Sequence, residues 1–157
     1  MEITQCTKTD YDKIITDMAD FWNSSNIDNL RMLHNPVFFY EFGNTAFVVK
    51  EGEKVIGYLF GLYSQTSSTA YVKFVGVRAS YRKRGVGRAL YEYFVMIAKD
   101  KGCSELKAIT SPNNKISIAF HQSLGMELLG ELNEEGIPVI KDYAGPGNDR
   151  VVFRKYI

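Results

Sequence analysis

The chain is poor in the residues that would build a cross-linked or metal-held scaffold. Its two cysteines, Cys6 and Cys103, lie far apart in 157 residues, and neither has a second Cys or a His at metal-ligand spacing. A disulfide framework and a metal site are therefore not expected, and both thiols should be reduced and buried. No apolar run approaches the ~20 residues needed to cross a bilayer. The opening MEITQC lacks the basic and apolar regions of a secretory leader, so a cytoplasmic location is expected. Net charge is only +1, which argues against a nucleic-acid-coating or membrane-surface protein. One local lack stands out: no Asp or Glu occurs between Glu53 and Glu92.

What is present is 45% hydrophobic residues, enough for one core, so residues 1–157 read as a single domain. EITQC alternates like a short strand. Ile14, Met18, Phe21 and Trp22 then recur at helical spacing behind a capping Thr7 or Thr9. The segment from Asn23 to Asn44 is rich in Asn and Ser and is interrupted by Pro36, so it reads as irregular helix or loop. Two β-rich runs around EGEK make a hairpin, and TAYVKFVGV follows as a third strand. Gly76 inside that strand suggests a bulge or a close approach to the backbone.

From Gly87 the residues Leu90, Phe94, Ile97 and Ala98 mark a helix that Gly102 ends. ELKAIT is a strand. A further helix begins at Asn113 or Asn114, has Ile116, Ala119, Phe120 and Leu124 as its stripe, and stops at Gly125. ELLGEL and RVVFRKYI supply terminal strands on either side of a turn-rich segment. This order predicts a mixed α/β (α+β) sheet flanked by helices.

The segment SYRKRGVGRAL joins the third strand to a helix, so unpaired backbone N–H groups and the positive helix end converge on one spot. Gly85 and Gly87 keep the spot open, while Arg82, Lys83, Arg84 and Arg88 surround it with positive charge. An anion is the expected occupant. No Gly-Lys-Ser/Thr closes the loop, and the third glycine and ribose-binding acid of a dinucleotide site are missing, so ATP and NAD are disfavoured. Nucleic acid is disfavoured too, because the cations are confined to one loop with no base-stacking motif beside it.

Arg82-Lys83-Arg84-Gly85-Val86-Gly87 resembles the Arg/Gln-x-x-Gly-x-Gly/Ala pyrophosphate loop of the GNAT acyl-CoA N-acyltransferases, with VRASY as its approach. NNKISIAFHQSLGM is similar to that family's next motif, a helix begun by Asn and ended by Leu-Gly-Phe. The resemblance implies a sheet with two splayed central strands, here TAYVKFVGV and ELKAIT, and acetyl-CoA (coenzyme A) as co-substrate. By position it implies that the backbone of Val75 and Val77 pairs with the pantetheine arm. That arm would give Gly76 its reason. The amides from Arg84 through Val86 to Arg88 would take the pyrophosphate. Asn114 would hydrogen-bond the cofactor arm, cap its helix, or do both.

The implied reaction is direct attack of a primary amine on the thioester in a ternary complex. The acceptor would be a small molecule, an amino-acid derivative or a protein terminus, and a homodimer is compatible with this. The family commonly places a Tyr acid where this chain has His121, which could protonate the thiolate or be a helix-surface histidine bordering the cofactor. No Glu occurs in TAYVKFVGV, where many relatives carry a base; Glu41, Tyr71 and Asp142 are the candidates, or a relayed water. Those departures leave a second function open, a non-catalytic acyl-CoA sensor.

Overall fold

The computed structural model describes all 157 residues. The chain runs β1 (Ile3–Gln5), α1 (Lys8–Thr16), α2 (Met18–Phe21), α3 (Ile27–Leu33), α4 (Val37–Tyr40), β2 (Ala46–Glu51), β3 (Lys54–Tyr63) and β4 (Thr69–Val77). It continues through α5 (Val86–Asp100), β5 (Glu105–Thr110), α6 (Lys115–Ser123), β6 (Glu127–Leu129), β7 (Glu131–Leu132), β8 (Pro138–Val139) and β9 (Val151–Tyr156). This is a mixed α/β fold. Residues 1–62 and 72–101 form one compact unit and residues 63–71 and 102–157 a second, with β4 shared between them.

In the first unit the strands neighbour one another in the order β1-β2-β3-β4, with β1–β2 and β2–β3 antiparallel. Thr7 caps α1 through a reciprocal box: its hydroxyl accepts from the Asp10 amide while the Asp10 carboxylate accepts from the Thr7 amide. The expected single helix breaks at Asp17, which ends α1 and turns its carboxylate to the guanidinium of Arg78. Ile14, Met18 and Phe21 nevertheless stay on one side, buried with Val48, Tyr58 and Phe60. The irregular segment after Trp22 resolves into the short helices α3 and α4. Cys6 belongs to this core, where burial pushes its thiol up to about 12, whereas Cys103 is only half-buried.

Helix α5 packs Val86, Leu90, Tyr91, Phe94 and Ala98 inward and ends at Asp100, with Lys101 as its C-cap and Gly102 following in the left-handed region. Its first residue sits tightly on β3. A Cβ on Gly57 would lie 2.5 Å from Val86 Cγ1, so only glycine there lets the helix start so close to the strand.

Gly76 has a reason within the protein itself. A Cβ on it would meet the ring of Tyr58 at 2.5 Å, so the close approach is made by the protein's own aromatic side chain. Tyr58 and His34 are both fully buried. The His34 ring stacks on Phe74 at 3.8 Å, with 18° between the planes. Its Nδ1 lies 2.7 Å from Leu30 O, which can only accept, so Nδ1 carries the proton. Nε2 therefore accepts from the Tyr58 hydroxyl at 2.8 Å, and that oxygen accepts in turn from Trp22 Nε1 at 2.7 Å.

The second unit is built around β9, which pairs antiparallel with β5 on one side and β6 on the other. At the start of β4, Ser68 O accepts from the amides of Ser104 and Glu105. ELLGEL, expected as one strand, divides at Gly130 into β6 and β7, and β7 pairs with β8 from the turn-rich segment, Glu131 opposite Val139 and Leu132 opposite Pro138. The stripe expected on α6 is rotated. Ile116 is 78% exposed and Ala119 is exposed too, while His121 and Leu124 are buried. The cause is the flat stack of His121 on Phe153 of β9, 4.2 Å apart at 8°, which turns the histidine face inward.

Burial lowers His34 to about 4; the Leu30 bond opposes this shift and Lys73 adds to it. The unfolded chain titrates that group near about 6.5, so below this value the unfolded state binds the proton that the folded state refuses. Stability is thus complete above about pH 6.5 and falls as pH drops toward about 4. His121, also lowered by burial, acts in the same direction. Urea denaturation should show a loss of roughly 2 kcal/mol between about pH 7 and 5. His34→Gln should start less stable and flatten the profile; an unchanged slope would contradict the buried neutral state.

Candidate active site

The loop before α5 has the geometry of an anion cradle. Lys83 (φ 61°) and Gly85 (φ 81°) both occupy the left-handed region, which curls successive backbone amides toward one side. Gly85 is the N-cap residue and supplies no side chain to the first turn of the helix. The leading N–H groups of α5 have no acceptor within the helix, and the 15 aligned peptides of that helix concentrate partial positive charge there. Arg82, Lys83, Arg84, Gly85 and Arg88 are exposed, while Val86 and Gly87 are buried against the core. The conformation of Gly85 is its requirement, since a Cβ there would meet nothing within 4 Å.

The cations are not equivalent. Arg84 packs over the Tyr81 ring at 5.1 Å. Arg82 faces the protein: its Nη2 donates to Phe21 O at 2.6 Å and its Nε to Val77 O at 3.2 Å. Arg78, which the sequence did not single out, is buried at 4% exposure. It donates to Val55 O and pairs with Asp17 and with Asp20 (2.5 Å) while resting on Phe21. A buried arginine beside a cationic loop carries no pattern that marks it, because its acidic partners lie about sixty residues earlier. The Trp22–Tyr58–His34 chain was equally invisible, being assembled from three separate elements.

The loop, Val75, Val77 and Glu41 belong to the first unit; Tyr71, Asn114, His121 and Asp142 belong to the second. Glu41 is exposed at the end of α4. Val75 and Val77 are half-buried on β4. Asn114 caps α6, its side-chain oxygen accepting from the Ser117 amide at 3.1 Å, a bond that does not involve its NH₂. Asp142 sits in a turn: one of its carboxylate oxygens accepts from the Gly147 amide at 2.7 Å, and the residue has itself a left-handed φ of 53°. Burial raises Tyr71 to about 12, with Tyr143 pushing the same way, so it is a protonated phenol at neutral pH.

His121 is not a surface histidine. It is buried at 4% exposure, and Nδ1 donates to Ser117 O at 2.7 Å. Burial lowers its affinity for a proton although the Ser117 bond opposes this, so the imidazolium is scarcer at neutral pH than for a free histidine.

A family model described as the acetyltransferase (GNAT) family matches residues 11–126. The chain belongs to the GNAT acetyltransferase family. An acetyltransferase of Sodalis glossinidius, SG1711, is 26% identical over 148 residues, 90% of this chain and 98% of that protein. Two solved GNAT-type structures share the fold. The PaiA N-acetyltransferase of Thermoplasma acidophilum, in complex with coenzyme A, superposes with a TM-score of 0.72 at 16% identity, covering 99% of this chain and 98% of that one. Naa20 of Chaetomium thermophilum, in complex with a bisubstrate analogue, gives 0.72 at 18% identity, covering 100% and 87%. The GNAT assignment makes the cradle before α5 the place to test for coenzyme A.

Replacing Gly85 by Val forces a β-branched residue into the left-handed region at a cost of about 1–2 kcal/mol and disturbs the amides around it. Calorimetry should show affinity for coenzyme A falling at least roughly tenfold, more than for Arg84→Ala, because backbone donors supply most of the hold. Equal affinities for wild type and Gly85→Val would show that the curled loop is not the binding element.

Proposed function

We propose that this protein is an N-acetyltransferase that uses acetyl-CoA to acetylate a primary amine of a small molecule or peptide. The observation that carries the reading is the cradle: a 15-residue helix beginning at an αL glycine, ringed by Lys83, Arg84 and Arg88. The family membership says acyl transfer, and the absence of acids from Glu53 to Glu92 suits a polyanionic cofactor. In this reading the amides around Gly85, Val86 and Gly87 hold the pyrophosphate, the Val75 and Val77 backbone pairs with the pantetheine arm, and the NH₂ of Asn114 is a further donor to it.

The acceptor must attack as a free amine. An alkyl ammonium loses its proton near about 10, so a base or a water chain has to remove it. The amine nitrogen bonds to the thioester carbonyl carbon, the C–S bond breaks, and the sulfur leaves as a thiolate that takes up a proton. Its pKa near about 8.5 means that water can deliver that proton without a strong acid. Of the named carboxylates Glu41 is the better base, since one oxygen of Asp142 already accepts from the Gly147 amide. The buried neutral state of His121 favours packing as its role over proton donation.

The same features that leave the acid and base thin also favour a second reading, a domain that binds acyl-CoA without turnover. Thiol release from acetyl-CoA, followed against a panel of polyamines, amino-acid amides and peptides with free N-termini, separates the two. Transfer predicts amine-dependent release and a product heavier by one acetyl group. Coenzyme A binding with no release for any amine class would replace the enzyme by the sensor.

A further inference from the structure

Arg82 opens the cationic motif, and its charge alone would make it a phosphate ligand. Its geometry says otherwise. Nη2 donates to the carbonyl of Phe21, the last residue of α2, at 2.6 Å, a charge-assisted bond, and Nε donates to Val77 O at the end of β4. Two of the fixed donor directions of the guanidinium are thus spent on backbone of the same unit.

The carbonyl it holds belongs to the peptide that carries the Trp22 nitrogen. Because that peptide is planar, fixing the Phe21 oxygen fixes the direction in which Trp22 leaves the helix. Trp22 there adopts an extended conformation (φ −128°, ψ 124°) with its amide still bonded to Met18 O at 3.1 Å. Its indole Nε1 then donates to Tyr58, and Tyr58 to His34. The two buried rings at the end of this chain press on β4, Tyr58 against Gly76 and His34 against Phe74. A directed sequence of donors therefore runs from the loop residue to the strand whose end, Val77, the same arginine also holds.

We infer that Arg82 is a positioning residue: it fixes the Phe21–Trp22 peptide and the end of β4, and through Trp22 it keeps the Tyr58–His34 pair seated on that strand. Its guanidinium acts on the protein and not on a phosphate. The inference rests on the reading of the loop as a coenzyme A site, which Arg82 supports from behind. It also explains why this cation differs from Arg84, which lies over the Tyr81 ring and takes no backbone carbonyl in this way.

Trp22 is the single tryptophan of the chain, so its fluorescence reports on this arrangement directly. Arg82→Lys keeps a donor of nearly the same reach as Nη2; Arg82→Ala removes it. Emission is recorded for the free proteins, excited on the red edge of the indole band, and coenzyme A affinity is measured by calorimetry. Thermal melts check that each variant is folded. The expected result is a red shift of Trp22 emission in Arg82→Ala that Arg82→Lys reverses. Coenzyme A affinity should be weaker by roughly tenfold in Ala and within about threefold of wild type in Lys. Unchanged Trp22 emission in Arg82→Ala would overturn the inference, and a loss of affinity without that shift would return Arg82 to the phosphates. If wild type binds no coenzyme A, the proposed function fails on its own, while the emission of the free variants still decides whether Arg82 holds Trp22.

Discussion

The positive end of α5 is the constraint on which the rest of the structure depends. A helix N-terminus attracts an anion only if its amides are held open and aimed, and that demands a rigid seat for the first turn. Val86 provides it by packing into the space that Gly57 leaves on β3, and Leu90 and Phe94 continue the contact as fully buried side chains. With the helix fixed there, the chain entering it must reverse sharply, and the left-handed Lys83 and Gly85 accomplish the reversal. The same residues thus make the turn and expose the donors.

A second layer of order is polar and buried. Arg78 would be costly inside the protein without partners; it has Asp17, Asp20, Val55 O and the face of Phe21. This network joins the end of β4 to α1 and α2, and it interrupts the helix at Asp17. The Trp22–Tyr58–His34 chain works beside it, each polar atom matched, so that β4 is supported by aromatic rings on one side of its glycine. Such a wall tolerates little change in shape, which suits a strand proposed to present backbone groups to a cofactor.

Much of this was legible in the sequence wherever the signal is local. A cap at Thr7 or Thr9, the hairpin around Gly52, the long α5 with Gly102 behind it and a start of α6 at Asn113 or Asn114 all follow from neighbours within a few residues, and the fold selects Thr7 and Asn114. The cradle was legible for the same reason, its glycines and cations being contiguous. What failed was what distance in sequence hides. Gly76 pointed to a close approach but not to Tyr58, eighteen residues earlier on the neighbouring strand. Ile116 and Ala119 suggested an apolar stripe, yet the stack of His121 on Phe153 set the buried face of α6. Arg82 stands in a run of cations, and nothing near it in the chain points to Phe21 O, sixty-one residues earlier.

The central claim is that the loop before α5 binds coenzyme A in preference to other nucleotides. A thermal melt with each ligand tests it most directly, because a ligand that binds only the folded state raises its stability by mass action. At a hundredfold excess over Kd, coenzyme A should add about 2.7 kcal/mol and raise Tm by roughly 5–10 °C, with ATP and NAD doing much less at the same concentration. A melting temperature unmoved by millimolar coenzyme A, or moved equally by ATP, would contradict it.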